Sequence, residues 1–435
     1  MLWMVLFPVL PIGMSEQELS SQIKMQKIVL HFEDDSLQNP QDVLTQSFVD
    51  KEKELHIRKG EKVCLAVGSR GIHGIAAIVK STIAFFHSKS CSVYIVPAMG
   101  SHGGGTAAGQ EKILESFGIS ELTMTVPIRS SMETCEVGTL KNGMPIYMSK
   151  EALAADRIIL INRIKSHTDF QGEIESGLLK MLAIGLGKYE GAENFHRCDT
   201  SDFPEFLQEA FEKFKKIPAQ INGIGIVENA HERTHLIEVL AEDQILEREK
   251  ELLQISKKTM ARIPLDYADI LIVEQIGKEL SGAGMDPNVT GRSATPGKFG
   301  KSHFKRLLVL DLSEKTHGNA SGIGQADLTT KKVHAKIDFK STYTNILSAR
   351  AFKSGALPVV LDSDREVIET AIQSCGHFDL KETSIVHIKN TLELCEMNLS
   401  VNLLSKIENV DFTKKGKVFT LSFDKNGQLL GKYSR

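Results

Sequence analysis

The pattern of short apolar runs alternating with helical stretches predicts an α/β protein of two domains, each on a mostly parallel sheet, with an interdomain cleft. Three observations carry this reading. At 435 residues the chain is longer than one hydrophobic core ordinarily fills. Strand-like runs followed by helix-like ones fill the first half, and the same alternation restarts after a long charged stretch. The composition, 41% hydrophobic and 25% charged, is that of a chain able to bury full cores.

Lys62 to Val67 (KVCLAV) and Ser92 to Pro97 (SVYIVP) read as buried strands, being short, apolar and bounded by glycine. Ile75 to Phe86 and Thr106 to Phe117 read as the helices that follow, with Gly118 as a left-handed cap. Asn142-Gly143 marks a hairpin turn, and Ile158 to Ile161 (IILI) is a further buried strand. The charged stretch from Leu240 to Ile263 predicts a solvated helix joining the halves, which places the domains at 15–250 and 251–435. After it come strands at Asp269 to Val273, Leu307 to Leu312 and Ala356 to Leu361, a helix from Asp364 to Cys375, and a last turn at Asn426-Gly427. No internal repeat or low-complexity segment is present in the sequence.

Charge and cysteine content restrict the function classes. Fifty-two basic and 55 acidic residues leave a net charge of -3, so no global field points to nucleic acid or to an anionic membrane. Six cysteines without C-x-x-C spacing fit reduced thiols, and a cytoplasmic location is expected. The apolar run Met1 to Ile12 is too short to span a bilayer and has no basic residue ahead of it, which argues against a signal peptide. A start codon assigned ahead of Met14 accounts for it equally well.

Three constellations could carry chemistry. Ala98 to Gly105 (AMGSHGGG) lies between a strand and a helix, where glycines permit close backbone approach and the helix N-terminus favours an anion. By itself this is either a structural turn or a ligand loop; His102 adds an imidazole where parallel sheets expose their ligands. The second, Asn162 to His167 (NRIKSH), Glu175 to Lys180 (ESGLLK) and Glu193 to Arg197 (ENFHR), gathers two histidines and lysines behind a strand. The third follows the strand at Asp269: Glu274-Gln275-Ile276-Gly277-Lys278, then Ser281 to Asn288 (SGAGMDPN). His317 and Asn319 read as surface structure, Lys331 and Lys332 as solvated, and His231 and His235 as part of a turn rather than a metal pair.

With these motifs the chain resembles the lactate racemase family, whose nickel-pincer enzymes invert the carbinol carbon of α-hydroxy acids. His102 matches the family's loop histidine and His167 its second histidine. Lys180, following Ser176 and Gly177, matches the lysine that holds the cofactor covalently, and His196, sixteen residues further on, matches the nickel ligand. Gln275 and Lys278 fit the family's Q-x-x-K pair from the second domain. The chain also departs from the pattern. More residues separate His167 from Lys180, Val67-Gly68-Ser69-Arg70 keeps the arginine but not the aspartate of Asp-x-x-Arg, and Glu274 replaces a tyrosine.

The resemblance implies an isomerase with a nickel-pincer nucleotide on Lys180, nickel on His196, and His102 and His167 as two bases working near the ordinary histidine pKa. Arg70, Gln275 and Lys278 would bind the substrate, and domain closure would exclude water. Its partners would be a small α-hydroxy acid, lactate-like or larger, and the enzymes that make the cofactor. The other reading is a non-redox binding protein of the same fold, holding a phosphorylated or carboxylated ligand on the Gly103 to Gly105 loop.

Overall fold

The computed structural model describes residues 19–297 and 299–433, so Met1 to Ile12 and the alternative start at Met14 lie outside the described residues. The first described strand, β1 (Lys24–His31), precedes an α/β unit holding β2 (Lys62–Val67), β3 (Ser92–Pro97), the hairpin β4 (Thr134–Thr139) and β5 (Pro145–Ser149), β6 (Arg157–Arg163), β7 (Gln220–Glu228) and β8 (Thr234–Leu240). The first sheet runs β3-β2-β6-β7-β8, parallel except for β8. Its central strands are buried along their length because helices cover both faces, as the continuous apolar runs required. On one face, Phe48 stacks on Phe85 at 4.2 Å and meets Phe86 edge-on, joining the helices Pro40–Leu55 and Ile75–Ser88.

The second half adds β9 (Tyr267–Ile276), β10 (His303–Leu312), β11 (Leu328–Thr330), β12 (Val359–Leu361), β13 (Ile385–Ile388), β14 (Glu396–Ser400) and β15 (Asp411–Thr420). They form a mixed sheet in the order β12-β11-β10-β9-β13-β14-β1-β15. The strands from β12 to β13 are parallel, whereas β14, β1 and β15 pair antiparallel.

Two expectations about the domains change. Strand β1 belongs to the second sheet, pairing with β14 and β15, so the chain starts in the domain that it later completes. Strand pairing across nearly the whole chain leaves no local trace in a sequence. The charged stretch is also not a solvated joint: the helix Ile245–Thr259 buries Ile245, Glu249, Leu252, Leu253 and Ser256 against β7. Gly225 makes room for it, since a Cβ there would stand 2.9 Å from Leu252. This helix is part of the first domain, and the crossover falls between Thr259 and Tyr267.

Gly118 and Gly143 adopt positive φ as their turns require, and Gly427 does so beside the lone Phe423–Leu429 bridge. The expected strand at Ala356 to Leu361 shrinks to β12 at the sheet edge, where Val359 is half exposed. His231 lies in the β7–β8 turn and His235 pairs with Asp35. His317 is exposed, while Lys331 and Lys332 pair with Asp362 and Asp311. All six cysteines are free thiols. Among the described residues no helix is long and apolar enough to cross a membrane.

Candidate active site

A cavity of about 780 Å³ opens between the two sheets, a volume suited to a small ligand together with an organic cofactor. Arg70, His102, His167, Lys180 and His196 line it from the first domain and Lys278 from the second. Arg70, His102 and His167 follow β2, β3 and β6 at the C-terminal edge of the same parallel sheet, where such folds place ligands, and Lys180 and His196 lie on helices of the connection from β6 to β7.

His102 follows β3 on a loop held from three sides. Gly100 N donates to Gly185 O at 3.0 Å, and a Cβ on Gly100 would meet Ile184 O at 3.2 Å, so this position needs glycine. The buried Gln110 donates to Gly100 O at 2.8 Å, and the buried Lys188 donates to Pro97 O at 2.7 Å and to Gln110 Oε1 at 3.1 Å. Ser69 Oγ bonds His102 Nδ1. Val67, at the place of the family's aspartate, is 1% exposed in the core, so no carboxylate reaches the cavity from there.

Gly103 to Gly105 lie outside the cavity lining, and Gly103 packs so closely on Gly109 that a Cβ would stand 2.5 Å from its carbonyl carbon. The following helix is capped by its own Thr106, which accepts from Gly109 N at 3.1 Å. Backbone packing thus accounts for Gly103 and positive φ for Gly104 and Gly105, so no feature of these glycines needs a bound phosphate.

Behind β6, the segment between His167 and Lys180 closes around the buried Glu175. This carboxylate accepts from His167 N at 2.7 Å and Gly172 N at 3.3 Å, and pairs with Lys257 at 2.6 Å. Lys180 ends the short helical turn Leu178–Lys180, whose first N–H groups, Leu178 N and Leu179 N, both donate to Glu249 Oε2 at 3.0 Å. Burial pushes the Glu249 carboxyl up to about 8.

Ser176 lines the cavity, but Gly177 does not. Gly177 instead allows Glu249 to approach, because a Cβ there would stand 2.1 Å from Glu249 Oε1. Gly177→Ala is therefore expected to displace the Lys180 turn and to cost about 1–3 kcal/mol, as overpacking does. An unchanged denaturation midpoint would show that Glu249 yields freely.

His196 ends the helix Lys188–His196, with its ring 6.4 Å from that of Phe203. From across the cleft, Asn288 Nδ2 donates to His167 O at 3.1 Å and Thr295 Oγ1 to Asp169 O at 2.7 Å. Lys278 Nζ donates to Gly282 O at 2.6 Å, and a Cβ on Gly282 would stand 3.2 Å from Arg70 Nη2, so the arginine reaches the opposite loop. Gln275 is not among the cavity-lining residues. It sits on β9 with its N–H bonded to Lys389 O, and neighbouring Glu274 bonds the buried His387 at 2.7 Å, whereas Lys278 lies past the strand end and turns inward.

Burial and surrounding cations hold all three imidazoles below the ordinary histidine range. Desolvation is the first cause in each; Arg70, Lys180 and Lys278 add to it at His102, Lys180 and Lys165 at His167, and Lys180 and Arg350 at His196. The expectation of bases near the free histidine pKa is thus corrected: without a bound anion these rings are neutral and costly to protonate. Desolvation likewise lowers Arg70 and Lys278, and brings Lys180 to about 8.

A neutral imidazole is the metal-binding form of histidine, and His196 offers one to the cavity. Among the described residues no group of three or more His, Cys, Asp or Glu side chains is arranged to hold a metal ion. The cavity therefore offers a metal one histidine nitrogen from His196, with the buried amine of Lys180 in the same lining.

Ser69, Arg163, Lys165, Asp169, Glu175, Glu249, Asn288 and Thr295 were not assigned from sequence. Arg163 and Lys165 stand inside the motif NRIKSH and were legible as cavity candidates by strand-end position. Glu249 gave no signal, because one buried carboxylate in a Glu- and Lys-rich helix looks like its neighbours.

Residues 10–203 match the family model described as the lactate racemase N-terminal domain. No curated protein matches the chain. Among solved structures, the lactate racemase apoprotein from Thermoanaerobacterium thermosaccharolyticum is similar at 12% identity, over 85% of this chain and 99% of that one, with a TM-score of 0.48.

Proposed function

We propose, taking as premise that residues 10–203 match the lactate racemase N-terminal domain, that this protein is a racemase or epimerase of an α-hydroxy acid using a nickel-pincer nucleotide. The observation that carries the reading is the convergence of His102, His167, Lys180 and His196 on one cavity. A structural role for each residue alone would not require it.

Inversion of a carbinol carbon needs its hydride removed and returned to the other face, and no side chain can store a hydride. When bound, the pincer nucleotide supplies that reversible acceptor. Lys180 would hold it covalently and His196 would ligate its nickel. Arg70 and Lys278 would clamp the substrate carboxylate from opposite sides of the cleft, fixing the reacting carbon.

His102 and His167 would take and return the hydroxyl proton, one for each enantiomer. The cations that depress these imidazoles also explain how they become bases only when needed. A bound carboxylate offsets the charge of Arg70 and Lys278, which raises His102 toward its ordinary range and ties proton transfer to substrate binding. The cross-cleft bonds of Asn288 and Thr295 hold the domains together over the site and exclude water from the transient ketone.

Production of the full chain with nickel and pincer-making enzymes tests the reading directly. Intact mass is expected to show a covalent adduct, which peptide mapping places on Lys180, and the loaded protein is expected to racemise an α-hydroxy acid. An unmodified mass under conditions that load an authentic lactate racemase would overturn it.

A further inference from the structure

His167 is fixed by three contacts. Asp169 N donates to Nδ1 at 3.0 Å, the ring stacks on Phe170 with centroids 4.2 Å apart, and Nε2 faces Lys180 Nζ within hydrogen-bond reach. A neutral imidazole carries one N–H and one lone pair. Because Nδ1 accepts from Asp169, the proton resides on Nε2, and Nε2–H is the donor toward Nζ. An ammonium has three donors and no acceptor, so only the free amine of Lys180 completes this pair. Imidazolium would set a second N–H against Asp169 N and bury its charge beside Lys165 and Arg70.

We propose that the His167–Asp169 turn favours Lys180 as a free-base amine, making it more readily acylated than the exposed lysines before any cofactor is attached. The surroundings agree. Burial, Arg70 and Lys165 oppose the ammonium and Asp169 alone among the charged groups favours it, while His102 and His196 face it as neutral rings. The balance brings the amine to about 8.

Acylation here needs no redox partner. The Nζ lone pair attacks the acyl carbon of RC(=O)X, the N–C bond forms, the C–X bond breaks, and one Nζ proton leaves with X as HX. The amide nitrogen formed has no lone pair to offer, so Nε2 of His167 is released toward the cavity. Attachment at Lys180 thereby leaves Nε2–H of His167 as a donor toward the cavity. The inference rests on the proposed function only in taking a cofactor-borne acyl or thioacyl group as the natural donor.

Limiting acetic anhydride on the full-length, cofactor-free protein, followed lysine by lysine by peptide mass spectrometry between pH 6 and 10, tests it. Lys180 is expected to reach half-maximal rate at or below about pH 8 and to outpace exposed lysines of pKa about 10.4 roughly a hundredfold at pH 7. His167→Phe, which keeps a ring on Phe170, is expected to move that midpoint upward and to cut the advantage at least about tenfold. Imidazole ¹⁵N spectra of the wild-type protein at about pH 9, above the Lys180 midpoint, are expected to show a bare Nδ1 and a protonated Nε2 on His167.

Acetylation of Lys180 no faster than of exposed lysines, an unchanged midpoint in His167→Phe, or the opposite tautomer would overturn the proposal. None of these readouts uses nickel or turnover. A fast Lys180 in a protein that takes no pincer adduct would sink the racemase reading and leave this one standing.

Discussion

Lys180→Ala in the nickel-loaded preparation is expected to lose both the covalent adduct and all racemisation, whereas His102→Ala and His167→Ala keep the adduct and lose about 10²–10⁴-fold in turnover. The asymmetry follows from position. Lys180 is the proposed attachment point, at the end of a turn held by Glu249, and among the described residues it is the lysine bonded to His167. The two histidines stand on separate loops and line the cavity, so under the proposed roles each removal costs a general base without dismantling the centre. Intact mass and optical rotation on the same samples measure the two effects separately. Racemisation by Lys180→Ala would sink covalent cofactor use, and wild-type rates in either histidine variant would remove that ring from the chemistry.

Arg157→Met is expected to destabilise the protein by about 3–5 kcal/mol, the cost of stripping one partner from a buried ion pair. Arg157 is 2% exposed and donates from Nε to Glu61 Oε2 at 2.9 Å and from its terminal nitrogens to Asn222 Oδ1 and His56 O. It joins the start of β6 to β7 and to the loop ahead of β2, so it pins the sheet that carries the site. Without it, Glu61 and Asn222 are left buried with unsatisfied groups.

Burial alone would raise Glu61, but the hydrogen bond and charge of Arg157 outweigh it and hold the carboxyl below its usual range. This pair's contribution is therefore present above the unfolded carboxyl pKa of about 4.3 and lost as the pH falls through the lower folded value. Chemical denaturation at pH 7 and pH 3.5 is expected to show a smaller difference between wild type and variant at the lower pH. The exposed pair Lys150–Glu133 is the control, and breaking it is expected to leave the denaturation midpoint nearly unchanged.

Much of the first domain was legible because its information is local. Strands β2, β3 and β6 are continuous apolar runs, and Gly118 and Gly143 mark turns that demand positive φ. The spacing of His102, His167, Lys180 and His196 was legible only through resemblance, since composition says nothing of why four such residues should meet. The placement of β1 was not legible, because its partners β14 and β15 lie at the other end of the chain. The burial of Glu249 escaped notice for a related reason: a helix face is polar or apolar on average, and one carboxylate aimed at two backbone N–H groups does not alter the average.

The amino-acid sequence by itself determined the α/β class, the strand cores of the first domain and the identity of the groups able to do acid–base, metal and amine chemistry. Only the tertiary structure decided their state. Enclosure among Arg70, Lys165 and Lys278 holds the imidazoles neutral, the N–H of Asp169 selects the tautomer of His167, and the second domain closes the cavity through Asn288 and Thr295. A residue's type sets which proton it can exchange, but desolvation and neighbouring charge, which depend on packing across hundreds of residues, set whether it does.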